Sequence, residues 1–377
     1  MKILLVSMAS IHFFRWTEQL KDTGHEVYWF DINDGGKKIK RLDWVHQIVN
    51  WKRRWNYPGR YFFKKQMTGL YTFFQKLNDR KVAIVFEKKL KEIQPDVVHS
   101  FALYVSCTPI LSVMQHYKNI KWIYSSWGSD LYYFQNESSF LEDIKNVLPR
   151  VDYLFSDCRR DYQLSLRYGF KGEFLGVYPG GGGFDLEMMN TYILPLENRN
   201  TIIIKGYQGR SGRAIQVLQA LEKLQEQLKI FKIVVFGADE EVINYSNQSE
   251  LKQWKNFSII GKVSHTEVLK LMGKALIYIG NSNSDGIPNT LLEAICLGAF
   301  PIQSNPGKVT EEIIVNAENG LIIEDFENID EIKNIILQVV LNTMLLKGAF
   351  EINQQHLKPQ FEREFIKKKV LESYLKI

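Results

Sequence analysis

Apolar positions fall along this chain in a repeating alternation. KILLVS (2–7) is an unbroken apolar run, followed by a polar loop, then RWTEQLKDTGHE at helical spacing with a stop at Gly24, then VYWFD (27–31). That order predicts a parallel βαβ unit, since parallel neighbours need a crossover between them and a helix supplies it. PDVVHS (95–100), KWIYSS (121–126) and VDYLFSD (151–157) continue the pattern, each after a predicted helix. Strands without a polar face belong to a sheet covered on both sides.

The alternation breaks at VYPGGGGFD (177–185), where four consecutive glycines follow Pro179, and the polar LENRN (196–200) comes soon after. Glycine loses the most backbone entropy on ordering, so this stretch predicts a hinge or a close approach of backbone to a ligand. The pattern then restarts with TIIIKG (201–206), a helix over 212–228, KIVVFGA (232–238), FSIIGKV (257–263) and a helix over 265–273. ALIYIGNS (275–282), a short helix in LLEAICLG, FPIQS (300–304) and GLIIED (320–325) complete it. The expected fold is α/β: two Rossmann-like doubly wound domains, 1–180 and 201–355, joined by a linker at 181–200. Residues 356–377 end in QFEREFIKKKVLESYLKI, an expected amphipathic helix.

Composition narrows the class. At 377 residues the chain is long for one core, and its 45% hydrophobic and 24% charged content is that of an ordinary globular protein. It has no run of eighteen apolar residues, so no transmembrane helix is expected. MKILLVSMASIHFFRW carries one lysine and no small-residue cleavage site, and is read as a first strand, not a signal peptide. Cys107, Cys158 and Cys296 are odd in number and in no ligand spacing, which disfavours a disulfide scaffold and a zinc site and fits a reducing cytoplasm. Between Lys37 and Lys65 stand ten Lys/Arg and one acid, a local +9, so the remainder of the +6 chain sums to −3. The protein carries one basic patch.

Two segments carry candidate chemistry. SNSDGIPNTLLEA (282–294) brackets Gly286 and Pro288 between Asp285 and Glu293. Proline is tolerated at a helix start, where its missing N–H has no partner to lose, and glycine permits positive φ or close backbone approach. The expected strand–loop–helix junction offers backbone N–H groups and a positive dipole end, while the two carboxylates can accept bonds from paired hydroxyls. The plain alternative is an Asp-Gly turn followed by a helix with a surface glutamate. IKGYQGRSGRAIQVLQAL (204–221) places Lys205, Arg210 and Arg213 among three glycines between a strand and a helix. Cations with exposed amides there suit a diphosphate, and a solvated basic turn is the alternative.

From His265 to Asp325 the chain resembles the C-terminal domain of family-four retaining glycosyltransferases of the GT-B fold, the glycosyl transferases group 1. That family has two acids eight apart in an E-G-x-P-x-x-x-x-E-A setting, then segments matching Gly298–Ile302 and Asn319–Ile322. The first acid here is Asp285, where the family usually has glutamate. The resemblance implies that Asp285 and the backbone of Gly286, Ile287, Pro288, Asn289 and Thr290 contact the donor sugar, and that Glu293 holds the ribose. It implies further donor contacts at Gly206, Arg213 and Val263. The family's Arg…Lys diphosphate pair is matched by Lys205 and Arg210 with the types exchanged, Arg213 competing for the second role. SSWGSDLYY (125–133) is similar to the family's H-G-x-D loop, with Trp127 at the histidine position, Ser129 beside it and Asp130 keeping the carboxylate. The loop SMASIHFFRW stands where the family has a glycine-containing loop, making Ser10 and His12 acceptor-side or cleft candidates, although His12 suits a capping or packing role equally. His99, inside a strand, is read as a satisfied structural residue.

No serine elbow, Cys–His motif or H-E-x-x-H is present, and no Asp-x-Asp ends a strand. The resemblance implies a metal-independent transfer retaining configuration, in which Lys205, Arg210, Asp285 and Asp130 carry the chemistry. No cofactor is expected beyond the nucleotide sugar as co-substrate, with UDP ahead of GDP. The rivals are a GT-B epimerase or phosphorylase, or an inactive GT-B scaffold or sugar-binding protein at the membrane. A nicotinamide dehydrogenase is disfavoured, because no G-x-G-x-x-G follows the first strand. The resemblance also implies that the last helix crosses back to the N-terminal domain.

The segment 37–74 interleaves its ten cations with Trp44, Trp51, Trp55, Tyr57, Tyr61, Phe62, Phe63, Tyr71, Phe73 and Phe74. Cations attract anionic headgroups and Trp/Tyr favour the interface, so an anionic membrane surface is the expected partner, bringing a glycan or lipid-linked acceptor. No nucleic-acid motif accompanies it, and a solvated helical face with its aromatics in the core is the alternative. The expected location is cytoplasmic, peripheral on the inner face of the membrane, in surface polysaccharide (lipopolysaccharide-type) synthesis by a bacterial enzyme.

Overall fold

The computed structural model describes residues 1–55 and 58–377. They form two compact α/β units: Met1–Ser156 with Tyr162–Gly176 and Ser373–Ile377, and Asp157–Asp161 with Val177–Glu372.

In the first unit the strands are β1 (Lys2–Ser7), β2 (Glu26–Asp31), β3 (His46–Ile48), β4 (Val97–Phe101), β5 (Lys121–Ser126), β6 (Tyr153–Ser156) and β7 (Glu173–Val177). They lie in the order β3-β2-β1-β4-β5-β6-β7, with parallel pairing from β3 through β6. The second unit holds β8 (Thr201–Lys205), β9 (Lys232–Phe236), β10 (Phe257–Ile259), β11 (Ala275–Gly280), β12 (Phe300–Ser304) and β13 (Leu321–Ile323). Their order, β10-β9-β8-β11-β12-β13, is the same winding, parallel throughout. Each sheet reverses its strand order once, between β1 and β4 and between β8 and β11. In doubly wound sheets the carboxyl ends of those two strands flank the crevice that takes a ligand.

The apolar runs are buried as expected. Ile202, Ile203 and Ile204 of β8 and Ile277 and Ile279 of β11 are fully covered, as are Ile3 to Val6 of β1. Two boundaries differ from the sequence reading. The 212–228 helix divides into Ala214–Glu222 and Gln225–Leu228, because Leu224 leaves the helical region to bury its side chain. The 257–263 run is a strand only to Ile259, since β10 is an edge strand that pairs with β9 alone.

The glycine stretch is a close approach, not a loose linker. Gly182 and Gly183 take φ of 69° and 81°, and a Cβ on Gly183 would lie 2.9 Å from the Phe361 carbonyl. Phe184 donates to Phe361 O at 2.8 Å and accepts from Arg363 N at 2.9 Å, so 181–184 is hydrogen-bonded to the chain before the last helix. The rest of 181–200 is folded too, with a helix at Leu186–Asn190 capped by Asp185.

The final helix, Arg363–Tyr374, delivers its end to the first unit. There Tyr374 OH meets Nδ1 of His99 at 2.5 Å, and Ser125 Oγ meets Nε2 at 2.7 Å. His99 is fully buried, and burial pushes its pKa well below the usual 6.5, so the ring is neutral. It is the structural residue the sequence suggested.

The basic segment contains the helices Arg60–Gln66 and Thr68–Asn78. Trp51 is in the core, stacked on Phe30 with ring centroids 4.9 Å apart, and Trp44, Phe63 and Tyr71 are half-buried. Trp55, Phe62, Phe73 and Phe74 are exposed, Phe62 to 61% and Phe73 to 59%, together with Met67, Leu70 and Leu77. Tyr57 and the side chain of Tyr61 lie outside the described residues. Among the described residues no single helix is long and apolar enough to cross a membrane.

Candidate functional site

Two loops of the second unit meet at the carboxyl ends of β8 and β11. The loop after β8 (206–213) and the loop after β11 (281–288) bond to each other through Asn283 N to Ser211 O at 2.9 Å and Arg213 N to Asn281 O at 3.0 Å. Asn281 adds a side-chain bond to Arg213 O at 3.1 Å. Gly206 is required by packing, since a Cβ there would lie 2.7 Å from Ala238 Cα.

This pairing puts Lys205, the last residue of β8, beside Asp285. Their Nζ and Oδ2 are 3.6 Å apart, and both side chains keep some solvent access, at 15% and 27%. The ammonium also stands 5.0 Å from the ring centroid of Tyr207, a cation–π contact. Tyr207 is half-exposed and sits over Gly237, where a Cβ would meet the ring at 3.0 Å.

The cation cluster separates into different roles. Arg210 is exposed on its loop. Arg213 is turned away, its guanidinium on the Glu327 carboxylate and on the carbonyls of Gly209 (3.1 Å) and Gly212 (2.6 Å). It braces the loop, which weakens its claim to a diphosphate.

On the other loop, Pro288 is extended (φ −65°, ψ 129°) and the helix Asn289–Cys296 starts immediately after it. The first N–H groups of a helix have no partner within it, so this turn offers donors at the strand end. Gly286 does not adopt positive φ; it is needed because a Cβ would lie 2.3 Å from Asp157 Oδ2. Arg160 fastens the same loop, donating to Asp285 O at 2.8 Å and Pro306 O at 2.7 Å. Thr290 Oγ1 accepts from Tyr278 OH at 3.0 Å, tying the helix to the core of β11. Glu293 is buried and its Oε1 is 2.7 Å from Nε2 of His265, the first residue of the helix His265–Met272. The surface-glutamate alternative therefore fails. Val263 is exposed just before that helix.

Tyr207, His265, Asp157 and Arg160 were not singled out by sequence. Of these only His265 carried a signal, at the first position after the Ser264 cap of a helix that precedes β11. Cys158, in no ligand spacing by sequence count, is brought with Asp157 and Asp161 to within 4.8 Å of one another through their ligand-type atoms. Arg160 is the cation beside this group, with Nε and Nη2 at 2.9 and 2.8 Å from Asp161 Oδ1.

In the first unit, Ser10 caps the helix Ile11–Glu18, accepting from Phe13 N at 3.2 Å. His12 is exposed, its ring edge-on to Trp127 at 6.4 Å between centroids, and Trp127 packs on Phe101 at 4.9 Å. Asp130 is buried, and its Oδ2 accepts from Leu103 N at 2.7 Å and from Tyr124 OH. Its carboxylate ties the loops that follow β4 and β5. Ser129 is half-buried on that loop.

Two family models match the chain: the glycosyl transferases group 1 over residues 193–355, and the glycosyl transferase 4-like over residues 2–157. The chain belongs to the group 1 glycosyltransferases. No curated protein matches this glycosyltransferase by sequence. Solved structures match it over its whole length. The sucrose-phosphate synthase of Thermosynechococcus elongatus aligns at TM-score 0.75 and 14% identity, covering 100% of this chain and 98% of that one. A glycosyltransferase from Rickettsia africae gives 0.68 and 19%, covering 100% and 98%. Anabaena HepE, solved with UDP and glucose, gives 0.70 and 13%, covering 100% of both chains. At these identities the likeness shows a shared two-domain α/β fold.

Proposed function

We propose that this glycosyltransferase moves a sugar from a nucleotide diphosphate sugar to a glycan or lipid-linked acceptor, retaining anomeric configuration and using no metal ion. UDP is the proposed nucleotide, with GDP second. One observation carries the reading: Lys205, Asp285 and the buried Glu293 converge on the carboxyl ends of β8 and β11, where the sheet reverses. The structures of Anabaena HepE with UDP and with UDP-glucose favour the uridine donor.

In this reading Glu293 accepts from the ribose hydroxyls and Asp285 from the sugar, while Lys205 and Arg210 take the charge that develops on the leaving diphosphate. A fixed cation aimed at developing charge is a large catalytic effect. The bond from the anomeric carbon to the phosphate oxygen breaks, and the acceptor oxygen bonds to the same face. The acceptor's proton passes to the departing phosphate, so no protein base is required.

The exposed Phe62, Phe73, Phe74 and Leu77, beside Lys64, Lys65 and Lys76, support docking on an anionic membrane. In the proposed reading the enzyme works in the cytoplasm, peripheral on the inner face of the membrane, in surface polysaccharide synthesis.

The test is a thermal-shift panel of UDP-, GDP- and ADP-sugars, followed by transfer assays in excess EDTA with the product anomer read by NMR. A UDP-sugar should stabilise the protein and be turned over without added metal. If no nucleotide sugar binds, the donor reading fails; strict dependence on added divalent cation, or an inverted product, would overturn the mechanism.

A further inference from the structure

The first unit reverses its strand order between β1 and β4, and side chains from the two sides of that reversal approach each other. His12 comes from the helix after β1, and Trp127 from the loop directly after β5, the neighbour of β4. The half-buried indole of Trp127 packs on Phe101, the last residue of β4, with centroids 4.9 Å apart. Phe101 in turn stacks on His99 at 4.1 Å, and His99 is held by Tyr374 and Ser125. Trp127 is thus the outer ring of a fixed aromatic column.

Its polar atom behaves unlike those of the structural tryptophans. The indole N–H groups of Trp29, Trp51 and Trp122 donate at 3.1, 2.8 and 2.9 Å to Ser7 O, Asp31 O and Ser100 Oγ. That of Trp127 donates to no described residue. The backbone beside it is strained. Ala102, next to Phe101, takes φ 64° and ψ 120°, a conformation closed to most residues with a Cβ. It is held there by Ala102 N on Ser125 O at 3.2 Å and Leu103 N on Asp130 Oδ2 at 2.7 Å. Such strain collects at functional sites, and this one sits where a doubly wound sheet takes its ligand.

The groups present choose the ligand. A phosphate wants a free helix N-terminus, but the amide that opens the helical turns after β4, Leu103 N, is already taken by the Asp130 carboxylate. An alkyl chain wants apolar walls all round, and here one indole stands beside an imidazole. A sugar ring has a face of slightly positive C–H bonds and a rim of hydroxyls. It matches a slightly negative aromatic face bordered by an N–H group and an imidazole. We propose that the acceptor of this glycosyltransferase is a sugar residue whose C–H face lies on the indole of Trp127, with His12 at its edge. The proposal rests on the transferase reading and narrows it: the group that receives the sugar is a hydroxyl of another sugar, not of a lipid or a phosphate.

The test is saturation-transfer NMR on the full chain with the methyl glycosides of glucose, galactose, mannose, N-acetylglucosamine and rhamnose, and with glycerol 3-phosphate. At least one glycoside should bind, with transfer strongest to the C–H bonds of one ring face. Trp127→Leu, which keeps an apolar contact with Phe101 but no aromatic face, should weaken that binding at least about tenfold, and Trp127→Phe about threefold. Trp127→Phe decides the matter if Trp127→Leu does not fold. UDP affinity, measured on the same proteins, should not change, because its groups lie in the second unit. No glycoside bound by the native chain, equal glycoside binding in the folded variants, or glycerol 3-phosphate bound through Trp127 in place of a glycoside overturns the proposal. Failure of the native chain to bind UDP would instead defeat the donor reading, and the glycoside result stands apart from it.

Discussion

The imidazole of His265 holds the carboxylate of Glu293, Nε2 to Oε1 at 2.7 Å, with the glutamate buried and the histidine 41% exposed in its side chain. The acid is therefore fixed from the solvent side by a residue of the preceding helix, while its own helix is locked by Tyr278 on Thr290. A carboxylate oriented in this way meets a diol with little rotamer entropy left to lose. Glu293→Ala is expected to weaken nucleotide binding by about 10–100-fold, the loss of one or two charge-assisted hydrogen bonds. His265→Ala should cost less, since it loosens the carboxylate without removing it. Calorimetry with UDP measures both, and unchanged affinity in Glu293→Ala sinks the ribose assignment.

The contrast between Lys205 and Arg213 makes a sharper comparison. Lys205 reaches Asp285 at 3.6 Å and keeps access to solvent, whereas Arg213 is spent on Glu327 and two carbonyls of its own loop. Lys205→Ala should lower kcat by about 10²–10³, the usual cost of deleting one group that stabilises developing charge. Arg213→Ala should instead lower Tm with a smaller effect on kcat. Steady-state kinetics beside a melting curve separates the two, and the reverse ranking would move the diphosphate cradle to Arg213.

Much of this arrangement was visible in the chain. Unbroken apolar runs such as ALIYIGNS and TIIIKG are buried on both faces, so period and length alone indicated parallel strands. The bracketing of Gly286 and Pro288 by two acids gave the loop, since the helix start and the strand end are local. What stayed hidden depends on residues far apart in sequence. Asp157 is what makes Gly286 obligatory, and Arg160 grips Asp285 O from 125 positions away. The four glycines suggested a hinge or a backbone approach to a ligand, because composition cannot reveal that Phe184 bonds to Phe361 and Arg363. Asp130 looked like a reacting acid, and only burial shows its carboxylate tying Leu103 and Tyr124.

His99 gives a pH dependence with a definite sign. Folding lowers its pKa well below 6.5 through burial, so the unfolded chain takes up a proton in a range where the folded chain does not. Its contribution to stability is fully present above pH 6.5 and is lost as pH falls below it, by about 1.4 kcal/mol per pH unit. Denaturant unfolding between pH 7.5 and 5.5 should show a loss of stability that sets in near pH 6.5 and steepens towards that slope below it, and His99→Gln should remove this component. Identical slopes in the two chains would mean that the ring is protonated in the fold.

The basic segment poses the question of what its aromatics are for. Trp51 answers for the core, stacked on Phe30 and bonded through its indole N–H to Asp31 O at 2.8 Å. The neighbouring helices Arg60–Gln66 and Thr68–Asn78 do the opposite, exposing Phe62, Leu70, Phe73, Phe74 and Leu77. Exposed apolar side chains in one contiguous stretch are costly in water, and Lys64, Lys65 and Lys76 beside them suit anionic headgroups at about 1 kcal/mol each. Phe62→Ser with Phe73→Ser removes insertion, whereas Lys64→Ala with Lys65→Ala removes attraction. Co-sedimentation with vesicles containing phosphatidylglycerol should fall in both double variants, and only the binding that the phenylalanines leave behind should be lost again on raising salt. Since these side chains are exposed, both variants should melt close to the native chain. Binding that ignores lipid charge, salt and all four substitutions would assign the exposed phenylalanines to some surface other than a membrane.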